Sequence, residues 1–312
     1  MYHLAEVFPL LNRFNLPFTR DQVMLFMVAV NEVFLGLDHY LAHLVSGTIR
    51  PLEMLPIIFG VFAGLLVLIL LAWLESRGVV SVIVTVVMSF GIAIGILGWW
   101  LHFIRTILPS APPGNRFTLE LFVWAPPILG PLTASLVGLL GVGSAWEEKP
   151  VDSGCFQLLG GRTFSLPISK ARAYFFLVGL GTLATLISSV LDHARTGFSN
   201  LWLWIPVAVG IFGVVVSVVV GMMEKPSRAD LVVFFLAMLL LIATGVAGAF
   251  LHVYTDWVAA GRVLTLERLV RGAPFLAPLL FTDMGTLGIV VMLAPEREKV
   301  RRKGLEGLFL RE

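Results

Sequence analysis

Gly95-Ile96-Leu97-Gly98-Trp99-Trp100-Leu101-His102 returns 150 residues later as Gly245-Val246-Ala247-Gly248-Ala249-Phe250-Leu251-His252. Each copy lies near the end of a long apolar run, and the rest of the chain falls into two matching halves around them. Upstream, Leu37-Asp38-His39 matches Leu191-Asp192-His193, and Pro56 and Gly60 match Pro206 and Gly210. Downstream, Thr118-Leu119-Glu120 matches Thr265-Leu266-Glu267; Pro127, Pro131, Leu132, Gly138 and Gly141 match Pro274, Pro278, Leu279, Gly285 and Gly288. The offset drifts only from 154 through 150 to 147, with the changes falling in loops. This pattern predicts the duplication of a four-helix unit.

Of the 312 residues 58% are hydrophobic and only 13% charged, with mean hydropathy +0.92. A soluble domain is nearer half apolar and about a quarter charged. Apolar runs of about 20 residues, enough to cross a bilayer, recur along the whole chain. They are continuous rather than alternating, so they predict helices and not barrel strands. Spans are expected at 22–46, 54–74, 79–104, 119–143, 171–194, 202–223, 229–253 and 270–293. The expected fold is an all-α polytopic membrane protein: eight transmembrane helices as two parallel pseudo-repeats of a four-helix bundle. A unit of four spans returns to its starting side, so both copies share one orientation about an axis along the membrane normal. The division is a cytoplasmic or interfacial segment 1–21, a first repeat 22–148, a linker 149–170, a second repeat 171–293 and a basic tail 294–312.

Charge sidedness orients the molecule. Arg50, Arg105, Arg116, Arg195, Arg262, Arg268 and Arg271 fall on one side, and the other 15 of the 22 Lys and Arg fall on the side of both termini. The positive-inside rule then places both termini in the cytoplasm of a cell (inner) membrane protein. The tail from Arg297 to Lys303 would lie against anionic lipid. Trp99, Trp100, Trp202, Trp204 and Trp257 sit near expected span ends, as an aromatic belt requires. A net charge of +2 argues against a nucleic-acid partner, and the single Cys155 excludes an intrachain disulfide. No cleavable signal peptide is evident. Walker A, GxGxxG, CxxC, CxxCH and HExxH motifs are absent.

Four of the six histidines occupy matched positions, His39 with His193 and His102 with His252. Glu120 and Glu267 are matched acids, as are Asp38 and Asp192. With the expected topology, His39, His102 and Glu120 gather at the outer end of one bundle, and His193, His252 and Glu267 at the outer end of the other. Two histidines on diagonal helices can supply both axial ligands of a haem b in a bundle core. Gly95 and Gly98, and likewise Gly245 and Gly248, share the face of the following histidine, where a flat macrocycle needs room. Two His and one carboxylate also form an open facial set for iron, zinc or copper. Asp38 and Asp192 are then candidates to orient an imidazole. The structural alternative is ordinary: histidine is favoured at helix C-termini, Thr followed by Glu is a helix start, and small residues let membrane helices approach.

Glu32 in the first span and Asp283 in the eighth lie near mid-membrane and lack matched partners, their equivalents being Leu186 and Leu136. Acids inside spans are functional candidates by default. Glu32, His39 and His43 share one face of the first span, with Asn31 beside Glu32 as a possible extension of a polar path. Glu120, Glu267, Glu32 and Asp283 are therefore the candidate proton-handling residues. The expected function is a membrane redox subunit holding haem b or a transition metal, for electron transfer or quinol chemistry with an outer-side redox protein. The alternatives are a proton-coupled transporter using Glu32 and Asp283, and a cofactor-free structural subunit. In outline the doubled four-span plan resembles the quinone-reactive anchor subunits of molybdenum oxidoreductases, though none of that group's motifs is present.

Overall fold

In the computed structural model, residues 4–9, 18–45, 47, 49–72, 77–263 and 265–294 are described. The helices in chain order are α1 (Leu4–Val7), α2 (Arg20–Val45), α3 (Met54–Ala72), α4 (Arg77–Thr106), α5 (Leu119–Trp124), α6 (Leu132–Ala145), α7 (Lys170–Ala194), α8 (Ile205–Met222), α9 (Arg228–Ala259), α10 (Leu266–Arg271) and α11 (Leu276–Val291). Among the described residues six helical stretches are long and apolar enough to cross a membrane: 20–45, 51–72, 78–106, 170–194, 201–222 and 228–259. The chain is a helical, multi-pass membrane protein. The expected basic tail lies outside the described residues, apart from Ala294.

Two of the expected spans are broken. The run 119–143 divides into α5 and α6, and 270–293 gives way to α10 and α11. α6 has 14 residues and α11 has 16. At 1.5 Å per residue these are about 21 and 24 Å long, short of the roughly 30 Å hydrocarbon core. The cause is in the sequence. Pro126 and Pro127 follow α5, and Gly272 and Pro274 follow α10. A proline supplies no N–H and clashes with the preceding turn, so neither helix continues through. Thr118 and Thr265 cap the short helices, accepting bonds from the backbone N–H of Leu121 and Arg268.

The remaining helices pack in a repeating order. α2 lies against α3, α4 against α6, and α2 against α6; in the second half α7 lies against α8, α9 against α11, and α11 against α7. α2 and α4 are not among the main packing pairs, nor are α7 and α9, so each pair stands at diagonal corners. The halves meet through α2 with α11 and α6 with α7. Lipid gives apolar side chains no reason to prefer each other, so contact depends on close backbone approach. At the α2–α3 seam, a Cβ on Gly60 would lie 2.8 Å from the Gly36 nitrogen. Only glycine permits that spacing.

Both described chain ends lie at one end of the molecule: the Leu4 amide donates to the Met292 carbonyl (2.7 Å) and the Arg20 amide to the Ala294 carbonyl (2.9 Å). A buried charge network ties the halves there. Lys170, 1% exposed, donates through Nζ to Asp21 Oδ2 (2.7 Å) and to the Trp146 carbonyl (2.5 Å). Glu148 Oε1 accepts from the amides of Gly154 and Lys170, at 2.7 and 2.9 Å. The expected plain linker instead folds into a three-stranded antiparallel sheet, β1 (Glu147–Glu148), β2 (Cys155–Gln157) and β3 (Thr163–Ser165). Its turns use Gly154, Gly160 and Gly161, all at positive φ.

Candidate functional site

The expected histidines gather at the end of the molecule opposite the chain ends. In the first half a cavity of about 480 Å³ is lined by His39, His43, Arg50, Glu53, His102 and Arg105, with Gly95, Gly98, Pro131 and other apolar residues forming the rest of its wall. α2 brings His39 and His43, four residues apart on one face. The turn leading into α3 brings Glu53, and the end of α4 brings His102 and Arg105. Glu53 is fixed from three sides. It accepts the Arg50 amide at 2.8 Å, and its carboxylate lies 3.4 Å from His43 Nδ1 and 3.6 Å from Arg105 Nη2. The His43 and His102 rings stand edge to face with centroids 6.3 Å apart.

Backbone carbonyls aim the imidazoles. His102 Nδ1 lies 2.9 Å from the Pro127 carbonyl, His252 Nδ1 3.1 Å from the Pro274 carbonyl and His39 Nδ1 2.6 Å from the Leu35 carbonyl. A carbonyl only accepts, so each Nδ1 carries the proton and a neutral ring keeps the Nε2 lone pair for another partner. These Nδ1 atoms are held by carbonyls and not by Asp38 or Asp192. Asp38 is exposed, and Asp192 lies 3.7 Å from Arg195 Nη2. The break between α5 and α6 does that work instead, because it frees the Pro127 carbonyl from helical bonding.

The glycines expected to make room for a macrocycle have a packing role. A Cβ on Gly98 would lie 2.8 Å from Pro131 Cβ, and one on Gly248 would lie 2.8 Å from Pro278 Cβ. Gly95 and Gly245 press in the same way on the carbonyls of Pro131 and Pro278.

The carboxylates expected to complete each shell stand apart. Glu120 is exposed and lines a separate shallow depression of about 320 Å³ with Arg105, Thr118 and Trp124. Glu267 is 80% exposed, its carboxylate 3.9 Å from Arg271 Nε. Each sits in the first turn of a short helix capped by threonine, where the helix dipole favours a carboxylate facing water. Among the described residues no group of three or more His, Cys, Asp or Glu could hold a metal ion. The two-histidine, one-carboxylate shell is therefore not assembled in either half.

The second half carries the histidine pair without the charged surround. The rings of His193 and His252 are 6.4 Å apart, and His193 Nδ1 lies 3.4 Å from Ser189 Oγ. The positions equivalent to His43, Glu53 and Arg105 are Gly197, Leu203 and Thr255. Repeat matching directs attention to what the halves share, so it passed over Glu53 and Arg105. Their signal was the reverse, charged residues near a matched histidine that the other half lacks.

The mid-membrane acids take different places. Glu32 is 1% exposed, and its Oε1 has no hydrogen-bond partner among the described residues. A Cβ on Gly91 would lie 3.5 Å from that oxygen. On the side towards the chain ends, Met24, Val28, Ala29, Val84 and Met88 are buried and apolar. Asp283 faces the junction of the halves, where its Oδ2 accepts from Asn31 Nδ2 at 3.0 Å. The two acids do not share a site; adjacent residues Asn31 and Glu32 point about 100° apart on α2.

Comparison with known proteins returned no match: no family model fits the chain, and no curated protein or solved structure is significantly similar to it.

Proposed function

We propose that the chain is a redox subunit of the cell membrane that oxidises a quinol in the first-half cavity. It has eight membrane helices arranged as two parallel four-helix repeats, 22–148 and 171–293, with both termini cytoplasmic and the cavity at the outer face. α5 with α6, and α10 with α11, act as broken spans. Irregular backbone is tolerated at membrane depth where it is buried in protein or lines a cavity. The matched contacts at Gly95 and Gly245, and at His102 and His252, support the duplication.

One observation carries the functional reading. An apolar cavity of ligand size, within the usual range of about 300–1,000 Å³, is edged by three imidazoles, one carboxylate and the two guanidiniums of Arg50 and Arg105. An amphipathic ring with two hydroxyls matches that lining. The hydroxyls of a quinol donate to Nε2 of His39 and His102, while Glu53, held by His43 and Arg105, takes up a released proton. Loss of two electrons and two protons converts the quinol to the quinone. The electrons pass one at a time to two molecules of an outer-side one-electron redox protein. Glu32, about 10 Å deeper than His39 on the same face of α2, is the store for the second proton. The apolar packing beyond Glu32 directs that proton back towards the outer side.

The test uses the full chain in detergent with decylubiquinone, kept in its reduced quinol form in every assay, as the probe, read by quenching of tryptophan fluorescence. His102→Ala and Glu53→Ala are expected to weaken binding about tenfold each, the loss of one good hydrogen bond, while His252→Ala leaves it unchanged. Equal binding by all three variants, or no saturable binding by the unmodified chain, would refute the reading.

A second reading keeps the histidine pairs as ligands of haem b or of an iron, copper or zinc ion. It is favoured by the closeness of the His193 and His252 rings, 6.4 Å between centroids, and by the carbonyl-anchored Nδ1 atoms of His39, His102 and His252, the usual support of a metal-bound imidazole. Such a group would supply one-electron chemistry. A visible spectrum before and after dithionite separates the readings: new bands on reduction establish haem, and a featureless spectrum discards it.

A further inference from the structure

A residue of the second half reaches across to the first. Arg195 caps the C-terminus of α7, two residues beyond His193. Its side chain crosses to the other half, where Nε donates to the Val123 carbonyl at 2.7 Å and Nη2 lies 3.4 Å from the Ala125 carbonyl. Those carbonyls belong to the end of α5 and the break that follows it. Two residues further on, the Pro127 carbonyl takes the Nδ1 proton of His102. Four residues beyond that, Pro131 forms cavity wall. Asp192, 3.7 Å from Nη2, holds the guanidinium from behind.

The other half is built differently. There the segment before α11 is held from within its own half, by Asp256 Oδ1 accepting the Ala273 amide at 2.9 Å. The position equivalent to Asp256 is Thr106, and the position equivalent to Arg195 is Leu41. Neither bond can be reproduced at the matched position: Leu41 has no donor, and the residue equivalent to Ala273 is Pro126, which has no amide hydrogen to give. The half with the charged cavity is thus the half whose loop is held by its neighbour.

We infer that Arg195 is a positioning residue for the cavity: by clamping Val123 and Ala125 it fixes the Pro127 carbonyl, and so the tautomer and direction of the His102 ring. Without the clamp, the break between α5 and α6 keeps no side-chain bond from outside its own half among the described residues. The Pro127 carbonyl then samples other positions, and His102 exchanges between tautomers. The clamp makes the site a joint product of both halves although only one of them lines it. The consequence for binding rests on the quinol reading above; the clamp itself does not.

The experiment compares Arg195→Ala and Arg195→Lys with the unmodified full chain in detergent. Arg195 is 39% exposed, so its removal leaves no large cavity. Three readouts are taken: amide exchange across 119–131 without ligand, the nitrogen shifts of labelled His102, and decylubiquinone affinity. For Arg195→Ala we expect exchange about tenfold faster, as for the loss of a charge-assisted bond. We also expect a mixed His102 tautomer and an affinity reduced by a similar factor. Arg195→Lys, which keeps one donor, falls between. Unchanged exchange overturns the clamp, and faster exchange with an unchanged His102 tautomer overturns the positioning role. If the unmodified chain does not bind decylubiquinone while exchange and tautomer respond as expected, the quinol reading fails and the clamp stands.

Discussion

Substituting Gly95 by alanine tests the helix seam and the cavity together, and Gly245→Ala is its internal control. A methyl on Gly95 would lie 2.8 Å from the Pro131 carbonyl oxygen and 2.7 Å from the Ser135 nitrogen. On Gly245 it would lie 2.6 Å from both the Pro278 carbonyl oxygen and the Thr282 nitrogen. Comfortable contact begins at about 3.5 Å, so either seam must open by roughly 0.7–0.9 Å. The obstructing atoms are backbone and cannot rotate away. A gap of about 0.5–1 Å forfeits a quarter to a half of each dispersion contact along the seam. The bond from Ser135 Oγ to the Ile92 carbonyl (2.9 Å) and that from Thr282 Oγ1 to the Ile242 carbonyl (3.2 Å) cross the same seams and stretch with them. Overpacking of this kind costs about 1–3 kcal/mol, which corresponds to a fall in Tm of roughly 3–10 °C. Tryptophan-monitored melting in detergent should show that fall in both variants. Decylubiquinone affinity should drop only for Gly95→Ala, because Gly95 lines the first-half cavity. A Tm within about 1 °C of the unmodified chain for either variant would contradict the steric argument. An equal loss of affinity in Gly245→Ala would contradict the assignment of the ligand to one half.

Three further outcomes are expected. Lys170→Met removes the buried ammonium from the Asp21 carboxylate, which keeps only the looser contact to Arg20 at 3.6 Å, and should destabilise by about 1.5–3 kcal/mol, with Lys170→Met/Asp21→Asn recovering part of the loss in melting temperature; no recovery would show that the pair does not join the halves. Asp256→Ala removes the acceptor of the Ala273 amide and should cost about 1–3 kcal/mol and speed amide exchange at 272–276, without altering decylubiquinone binding; a change in binding would show that the second loop also shapes the cavity. Oxidation of the bound quinol should raise the infrared band of a protonated carboxyl that is missing in Glu32→Gln, and a band that still rises in the variant would remove Glu32 from the proton pathway.

How much of this was legible depends on the range of the interaction concerned. Long apolar runs determine helices, because lipid offers backbone N–H and C=O groups no partner outside the helix. Of the matched glycines and histidines, His39, His102, Gly95 and Gly98 line one cavity. The prolines that divide 119–143 were visible, but kinked and broken helices look alike in sequence, and the break was read through. The short sheet at 147–165 was missed for a similar reason, since strands of two or three residues carry too little alternation to register.

Composition, run length and the internal repeat thus determined by themselves that this is a helical membrane protein whose histidines fall at one end. Those properties follow from local physics and from the periodicity of a single helix. The tertiary structure alone decided which groups meet. Glu53 joins His43 and Arg105 across three helices, Asn31 meets Asp283 across 252 residues, and Lys170 meets Asp21 across 149. It also moved Glu120 and Glu267 away from the imidazoles and gave Arg195 its place against the other half. Helix periodicity gives the face of each residue, but not the rotation of one helix against the next. That rotation is set by where backbone glycines allow the closest approach.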